Sequence, residues 1–256
     1  MIHVPTATWA HTMFDLAAWL GGLGVSVLLY RWRLRQAVAE VALKVDGRYF
    51  AALGVGAVAG AWLAGSANTL RGTDPVLSHS IVGALVGAIV GVEIYKAARG
   101  IKGSTGGVFV GSFAFGAAVG RLGCFFAGLP DQTYGTATAL PWAVDLGDGV
   151  GRHPIQLYES AAMALFLAVY LAALARHAPW AIRRGFYALC IWYGVQRFAW
   201  EFLKPYPRLI GPLNLFHVIC AGLVVYGWVY YLGDLARDRR AQVGALPVPR
   251  PDHEPV

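Results

Sequence analysis

The sequence predicts an all-α integral membrane protein of seven transmembrane helices, with its N-terminus outside and its C-terminus in the cytoplasm. Three observations carry this. Of the 256 residues, 57% are hydrophobic and only 14% charged, and the mean hydropathy is +0.52. The apolar residues gather into runs close to the roughly 20 residues that a bilayer-spanning helix needs at about 1.5 Å rise each. The basic residues concentrate on alternate connections between the runs, and that asymmetry sets orientation, because cytoplasmic loops carry the excess of Lys and Arg.

In chain order the runs are 13–30, 49–67, 78–95, 108–129, 154–174, 185–202 and 213–232, judged by length and by the charges that end them. No basic segment precedes the first run and no clean small-residue cleavage site follows it, so it is expected to be a retained helix rather than a signal peptide. Arg31-Trp32-Arg33-Leu34-Arg35 then reads as an interfacial anchor. The first, third and fifth connections and the tail hold 15 of the Lys and Arg residues; the opposite side holds Arg71, Arg121, Arg152, Lys204 and Arg208, and Arg197 lies inside the sixth run. Residues 1–235 are accordingly read as one membrane domain. Its fourth connection, 130–153, is the long one, and its Gly, Asp, Thr and Pro content suits a folded cap over the outer face. Residues 236–256 are expected to form a disordered cytoplasmic tail.

Composition also excludes classes of function. Cys124, Cys190 and Cys220 cannot form an even disulfide framework. A net charge of +7 in so apolar a chain marks loops rather than a nucleic-acid partner. A transporter or channel would show polar residues through the midplane and broken helices in repeated halves. Here the cytoplasmic halves are apolar apart from Glu93 and Lys96, and no internal repeat is visible.

Ionisable residues in hydrocarbon cost at least a few kcal/mol each, so they locate function. Counted from the inner ends of their runs, Arg121 lies thirteen residues up and Arg197 twelve, roughly 20 and 18 Å by helical rise. Glu201 follows Arg197 by one turn on the same face. The runs that enter from outside bring Ser78, His79 and Ser80; His153, Gln156, Tyr158 and Glu159; and Asn214 and His217 in their first turns. Pro154 is expected at the first helical position of its run. Two guanidinium groups near a helix N-terminus suit the phosphate of a lipid headgroup. The competing reading is structural: an Arg197–Glu201 pair, a snorkelling Arg121 and an aromatic belt.

Three blocks, Gly120-Arg121-Leu122-Gly123-Cys124-Phe125-Phe126-Ala127-Gly128, His153-Pro154-Ile155-Gln156-Leu157-Tyr158-Glu159 and Arg197-Phe198-Ala199-Trp200-Glu201-Phe202, resemble in order and spacing the prolipoprotein diacylglyceryl transferase family. The resemblance spreads from the third run to the seventh. It implies a multi-pass enzyme of the bacterial inner membrane that moves the diacylglyceryl group of phosphatidylglycerol onto a cysteine thiol in a prolipoprotein signal peptide and releases glycerol phosphate. In that reading Arg121 and Arg197 hold the phosphate and Glu201 orients Arg197. The implied substrate-binding set is Gly123, Cys124, Gly128, Tyr134, Gly135, His153, Gln156, Tyr158 and Glu159. No cofactor is implied, and no ligand cluster with metal spacing is visible in the sequence.

The chain departs from the family pattern in three places. Cys124 stands where the family has Asn, Leu129 where it has Glu, and Val82 where it has the histidine proposed as the base that activates the thiol. His79 and His217 are the two candidates for that base. Cys124 is a nucleophile or a small packing residue. A divergent transferase with another acceptor, or a lipid-binding protein without turnover, are the alternatives these departures open.

Overall fold

The computed structural model describes residues 1–71 and 77–244. A short strand β1 (Ile2–His3) leads into helix α1 (Trp9–Leu29), which passes through a π-helical turn (Tyr30–Leu34) into α2 (Arg35–Ala42). The first helical stretch is therefore 34 residues long, where the sequence suggested an end near Tyr30. Charged side chains at the interface mark where the bilayer stops; they do not oblige the backbone hydrogen bonding to stop with it.

The hairpin of α3 (Gly47–Thr69) and α4 (Ile81–Arg99) follows. Asp46 caps α3 by accepting from the Arg48 and Tyr49 backbone N–H groups at 2.9 and 3.3 Å, and Ser80 caps α4 through Gly83 N–H at 3.4 Å. Gly100, at φ +65°, closes α4 in the left-handed conformation. The two helices touch backbone to backbone. A methyl at Gly87 would overlap the Gly56 carbonyl oxygen, and one at Gly60 the Gly83 oxygen. Small residues at four-residue spacing allow this approach where lipid supplies no hydrophobic drive.

Helix α5 (Val110–Ala127) is central. It packs against α1, against α6 (Ile155–Ala175) and against α8 (Gly185–Glu201), which follows a short α7 (Pro179–Arg183). Ser160 Oγ–H donates to the Ala118 carbonyl at 2.7 Å across the α5–α6 contact, and Trp192 Nε1–H to the Ala162 carbonyl at 3.0 Å across α6–α8. Val110, Ala114, Met163, Tyr170, Leu189 and Cys190 form the buried core of this bundle. The chain ends in α9 (Leu215–Gly244), which pairs with α8. It runs twelve residues beyond the expected end at 232; residues 245–256, the rest of the expected disordered tail, lie outside the described residues.

Among the described residues, six helices are long and apolar enough to cross a membrane. The sixth run of the sequence forms α8, but its 17 residues span only about 26 Å against a hydrocarbon core of about 30 Å. It carries two of the ionisable residues of the site, Arg197 and Glu201, and is sheltered by α6 and α9.

The connection 129–154 is folded. A 3₁₀ turn (Leu129–Asp131) is followed by β2 (Val144–Asp145), which pairs in parallel with β1 and is bridged to Arg152. Asp145 organises the loop: Oδ1 accepts from the Gly147, Asp148 and Gly149 backbone N–H groups at 2.9, 3.1 and 2.9 Å, and Oδ2 meets His3 Nδ1 at 2.9 Å. A ribbon of β3 (Arg208–Ile210) and β4 (Leu213–Asn214) joins α8 to α9.

Candidate active site

Three helices, the turn after α8 and strand β4 place a buried polar cluster at one end of the bundle. Glu159 sits one turn into α6, and Pro154 is the residue just before that helix rather than its first. One Glu159 oxygen meets Arg121 Nε of α5 at 2.6 Å; the other meets Lys204 Nζ at 2.6 Å and faces Arg197 NH1 of α8 at 3.9 Å. Glu201 takes Arg197 NH2 at 3.2 Å and Lys204 Nζ at 3.1 Å through one oxygen, and Asn214 Nδ2–H at 3.2 Å through the other. Three cations thus share two carboxylates. Glu159, Arg197, Glu201, Lys204 and Asn214 are all at most 4% exposed. Arg197 also donates to Tyr193 Oη at 3.3 Å and lies over the Phe216 ring at 5.3 Å. Buried charges survive only when paired and hydrogen-bonded, and each carboxylate here has partners on at least two elements.

The cluster closes one end of a cavity of about 960 Å³. Its polar end is lined by Arg121, Arg197, Cys124 and Tyr206; its body is apolar, between α1 and α5 on one side and α3 and α4 on the other, with Leu23, Leu53, Leu85 and Ile89 in its wall. A cationic end joined to a long apolar body complements the charge and shape of an anionic phospholipid.

Comparison with known proteins gives the family. The model of the prolipoprotein diacylglyceryl transferase family matches residues 17–232. The chain belongs to that family. Among relatives, it is similar to the phosphatidylglycerol–prolipoprotein diacylglyceryl transferases of Solidesulfovibrio magneticus (36% identical over 138 residues, 50% of this chain and 49% of the relative), Methylococcus capsulatus (32% over 165 residues, 60% and 61%) and Methylocella silvestris (35% over 170 residues, 59% of each). The chain spans about half the length of the curated relatives it matches. No solved structure matches.

Among the sequence-derived candidates, the structure brings Arg121, Glu159, Arg197 and Glu201 together. Lys204 and Asn214 complete the cluster; the sequence placed Asn214 among the polar residues entering from outside without giving it a role, and Lys204 was missed. Lys204 had a signal, since it follows Glu201 by three residues, but from sequence it counted only as one of the outer-side basic residues.

The two candidate bases differ in place. His79 precedes α4 in an extended segment, exposed, 5.9 Å from the Trp62 ring, and lines the cavity. Val82, inside α4, is fully buried. His217 is fully buried between Phe198 and Phe202, with ring centroids 4.8 and 4.3 Å away. Its Nδ1 accepts the Asn214 backbone N–H at 3.0 Å, while the His217 backbone N–H donates to Asn214 Oδ1 at 3.1 Å. This is a reciprocal capping box at the start of α9.

Tyr158 accepts Trp142 Nε1–H at 2.7 Å and packs on Trp200; His153 packs on Tyr158. Gln156 is 1% exposed. Among the described residues that line the cavity, His153, Gln156, Tyr158 and His217 are not included. Tyr134 lies under the Arg152 guanidinium at 5.1 Å, and Arg152 forks onto Asp148 with two 2.6 Å contacts. Gly135 approaches the His153 carbonyl so closely that a methyl would overlap it. Gly123 packs on Phe14 of α1, and Gly128, at φ +76°, on Thr6. Cys124 faces Arg121 NH1 at 3.8 Å and His11 Nε2 at 3.9 Å.

Proposed function

We propose that this family member is a seven-span enzyme of the bacterial inner membrane, N-terminus outside, that transfers the diacylglyceryl group of phosphatidylglycerol to a prolipoprotein cysteine in a signal peptide. The observation that carries the reading is a charge cluster with one surplus cation at the polar end of an apolar cavity. One phosphodiester headgroup carries one negative charge and neutralises that surplus; two acyl chains fill the apolar body. The thiolate sulfur attacks the glyceryl carbon, the S–C bond forms, the C–O bond to phosphorus breaks, and glycerol phosphate leaves with the electron pair. Arg121 and Arg197 stabilise the charge that develops on the departing phosphate oxygen. Glu159 and Glu201 hold the two guanidinium groups in place, as preorganised electrostatic catalysis requires. Tyr134, Gly135, His153, Gln156 and Tyr158 form the support behind the headgroup site, and Gly123 and Gly128 allow the close approach of α1 and the chain before it.

The orientation follows the basic residues. At the end carrying most of them, Arg99 pairs with Asp46 and Arg184 with Asp238 at 2.6 Å, which ties the connections of that side together. The positive-inside rule makes it cytoplasmic.

The test is incubation of the purified protein with phosphatidylglycerol labelled in its acyl chains and a peptide bearing a lipoprotein cysteine motif. Label on the peptide with stoichiometric glycerol phosphate release is expected, and replacement of either Arg121 or Arg197 by Ala should cut the rate by about 10²–10³-fold. Absence of both label and release sinks the proposal. A second reading is favoured by Val82 at the family's histidine position: glycerol phosphate release with label on another nucleophile assigns a different acceptor.

A further inference from the structure

Three segments far apart in sequence converge beside Arg121. His11 comes from the first turn of α1, Cys124 from the last turn of α5 and Asp131 from the 3₁₀ turn after it. One donor atom from each lies within 4.8 Å of the other two, and all three residues line the cavity. We infer that His11, Cys124 and Asp131 form a binding site for one divalent transition-metal ion of the zinc type.

The imidazole supplies the first argument. His11 Nδ1 faces Asp15 Oδ2 at 3.0 Å and Nε2 faces Asp131 Oδ1 at 3.0 Å. A neutral ring has one N–H for two carboxylates, so the second nitrogen conflicts with its carboxylate unless it carries a proton or a metal ion. A metal at Nε2 removes that conflict and leaves Nδ1–H to donate to Asp15. Carboxylate–histidine–metal is a recurrent support for zinc ligands. Distances supply the second. Tetrahedral zinc with ordinary bond lengths places nitrogen and oxygen ligands about 3.3 Å apart and nitrogen and sulfur about 3.6 Å apart. Here the separations are 3.0 Å and 3.9 Å. The remaining ligands also have outer partners: Thr133 Oγ1–H donates to the second Asp131 oxygen, and Arg121 NH1 faces the Cys124 sulfur. Imidazole, thiolate and carboxylate together select zinc or cobalt over magnesium or calcium.

Three protein ligands leave a fourth position, and it opens into the cavity, as in catalytic rather than structural zinc sites. Its use rests on the transferase reading: an acceptor thiol that coordinates there gives up its proton to solvent and needs no histidine base, which suits a chain with Val82 at that place.

The full-length protein, stripped with a chelator, is titrated with cobalt(II) alone. One equivalent should bind, with a sulfur-to-cobalt charge-transfer band and visible bands of tetrahedral strength. Cys124→Ser should abolish the charge-transfer band, His11→Gln should abolish stoichiometric binding, and Asp15→Asn should weaken affinity by about 10–100-fold. Cys190→Ser and Cys220→Ser, at buried positions elsewhere, should leave the spectrum unchanged, and melting curves identify any variant that fails to fold. No stoichiometric uptake by the folded wild type, or a charge-transfer band that survives Cys124→Ser, overturns the site. Stripping should also cut thiol transfer by at least tenfold, with zinc restoring it. Unchanged transfer after complete stripping overturns the role in activation, whereas absent transfer in protein that binds cobalt rejects the transferase reading and leaves the site standing.

Discussion

Lys204 shows what a single residue changes at this site. Without it, Glu159 and Glu201 would face two guanidinium groups in a neutral cluster. With it, one of three cations is surplus, and every carboxylate oxygen but that facing Arg121 alone is shared or bonded to Asn214. Breaking a buried ion network by removing one partner costs about 3–5 kcal/mol. Glu159→Gln should therefore destabilise the protein by that amount in a chemical or thermal melt, and Lys204→Met should in addition weaken phosphatidylglycerol binding. His217 makes the opposite case. Because its ring nitrogen closes a capping box, and Gln serves the same position in such boxes, His217→Gln should retain transfer within a few-fold of wild type. A loss of 10²-fold or more would return it to the list of bases. The sequence disclosed Arg121, Arg197, Glu159 and Glu201 because ionisable residues in apolar runs are conspicuous. It hid Lys204, which falls in the turn after α8, and the convergence of His11 with Cys124, which are 113 residues apart.

At the scale of elements, the α3–α4 hairpin depends on absent side chains. Gly87→Val forces a side chain into the Gly56 backbone and should cost about 1–3 kcal/mol or more, since neither helix can yield without losing the other. Gly54→Ala, on the partner helix α3 with nothing within 4 Å of the added methyl, should be neutral or stabilising by about 0.5–1 kcal/mol; the pair compared in one melt separates packing from helix propensity. The outer cap rests on Asp145. Backbone donation from Gly147 above all, opposed by burial and aided by Gly149, His3 and Asp148, holds its carboxyl below the ordinary 3.8. A lowered folded pKa gives stability that is complete above the ordinary value and is lost as pH falls from 3.8 through the folded value. Protease cutting of the 140–151 segment should thus rise with acidification below 3.8 in the wild type, and already be raised at neutral pH in Asp145→Asn, where only the Asp148–Arg152 contact remains to titrate. The positions of the runs were legible from hydropathy. Their ends were not, because α1, α4 and α9 begin or stop where caps and hydrogen bonding allow: α4 waits for Ser80, and α9 continues as helix into the Arg- and Asp-rich segment after Leu232.

For the whole molecule, the distribution of basic residues makes a prediction that no single site makes. Val150, exposed on the cap, and Arg176, exposed after α6, should lie on opposite sides of the membrane. In a background with Cys124, Cys190 and Cys220 replaced by Ser, Val150→Cys should react with an impermeant maleimide on spheroplasts and Arg176→Cys only after lysis; the reverse pattern inverts the topology. The surplus positive charge within the bundle has a consequence for handling the protein. A folded state that holds an unneutralised buried cation is linked to anion concentration, and a ligand present at 100 times its dissociation constant adds about 2.7 kcal/mol to stability. Retained anionic lipid should then act as part of the fold. Extraction that strips anionic lipid should yield a protein that melts early and aggregates, and returning that lipid, rather than a zwitterionic one, should restore the melting temperature before any acceptor is present.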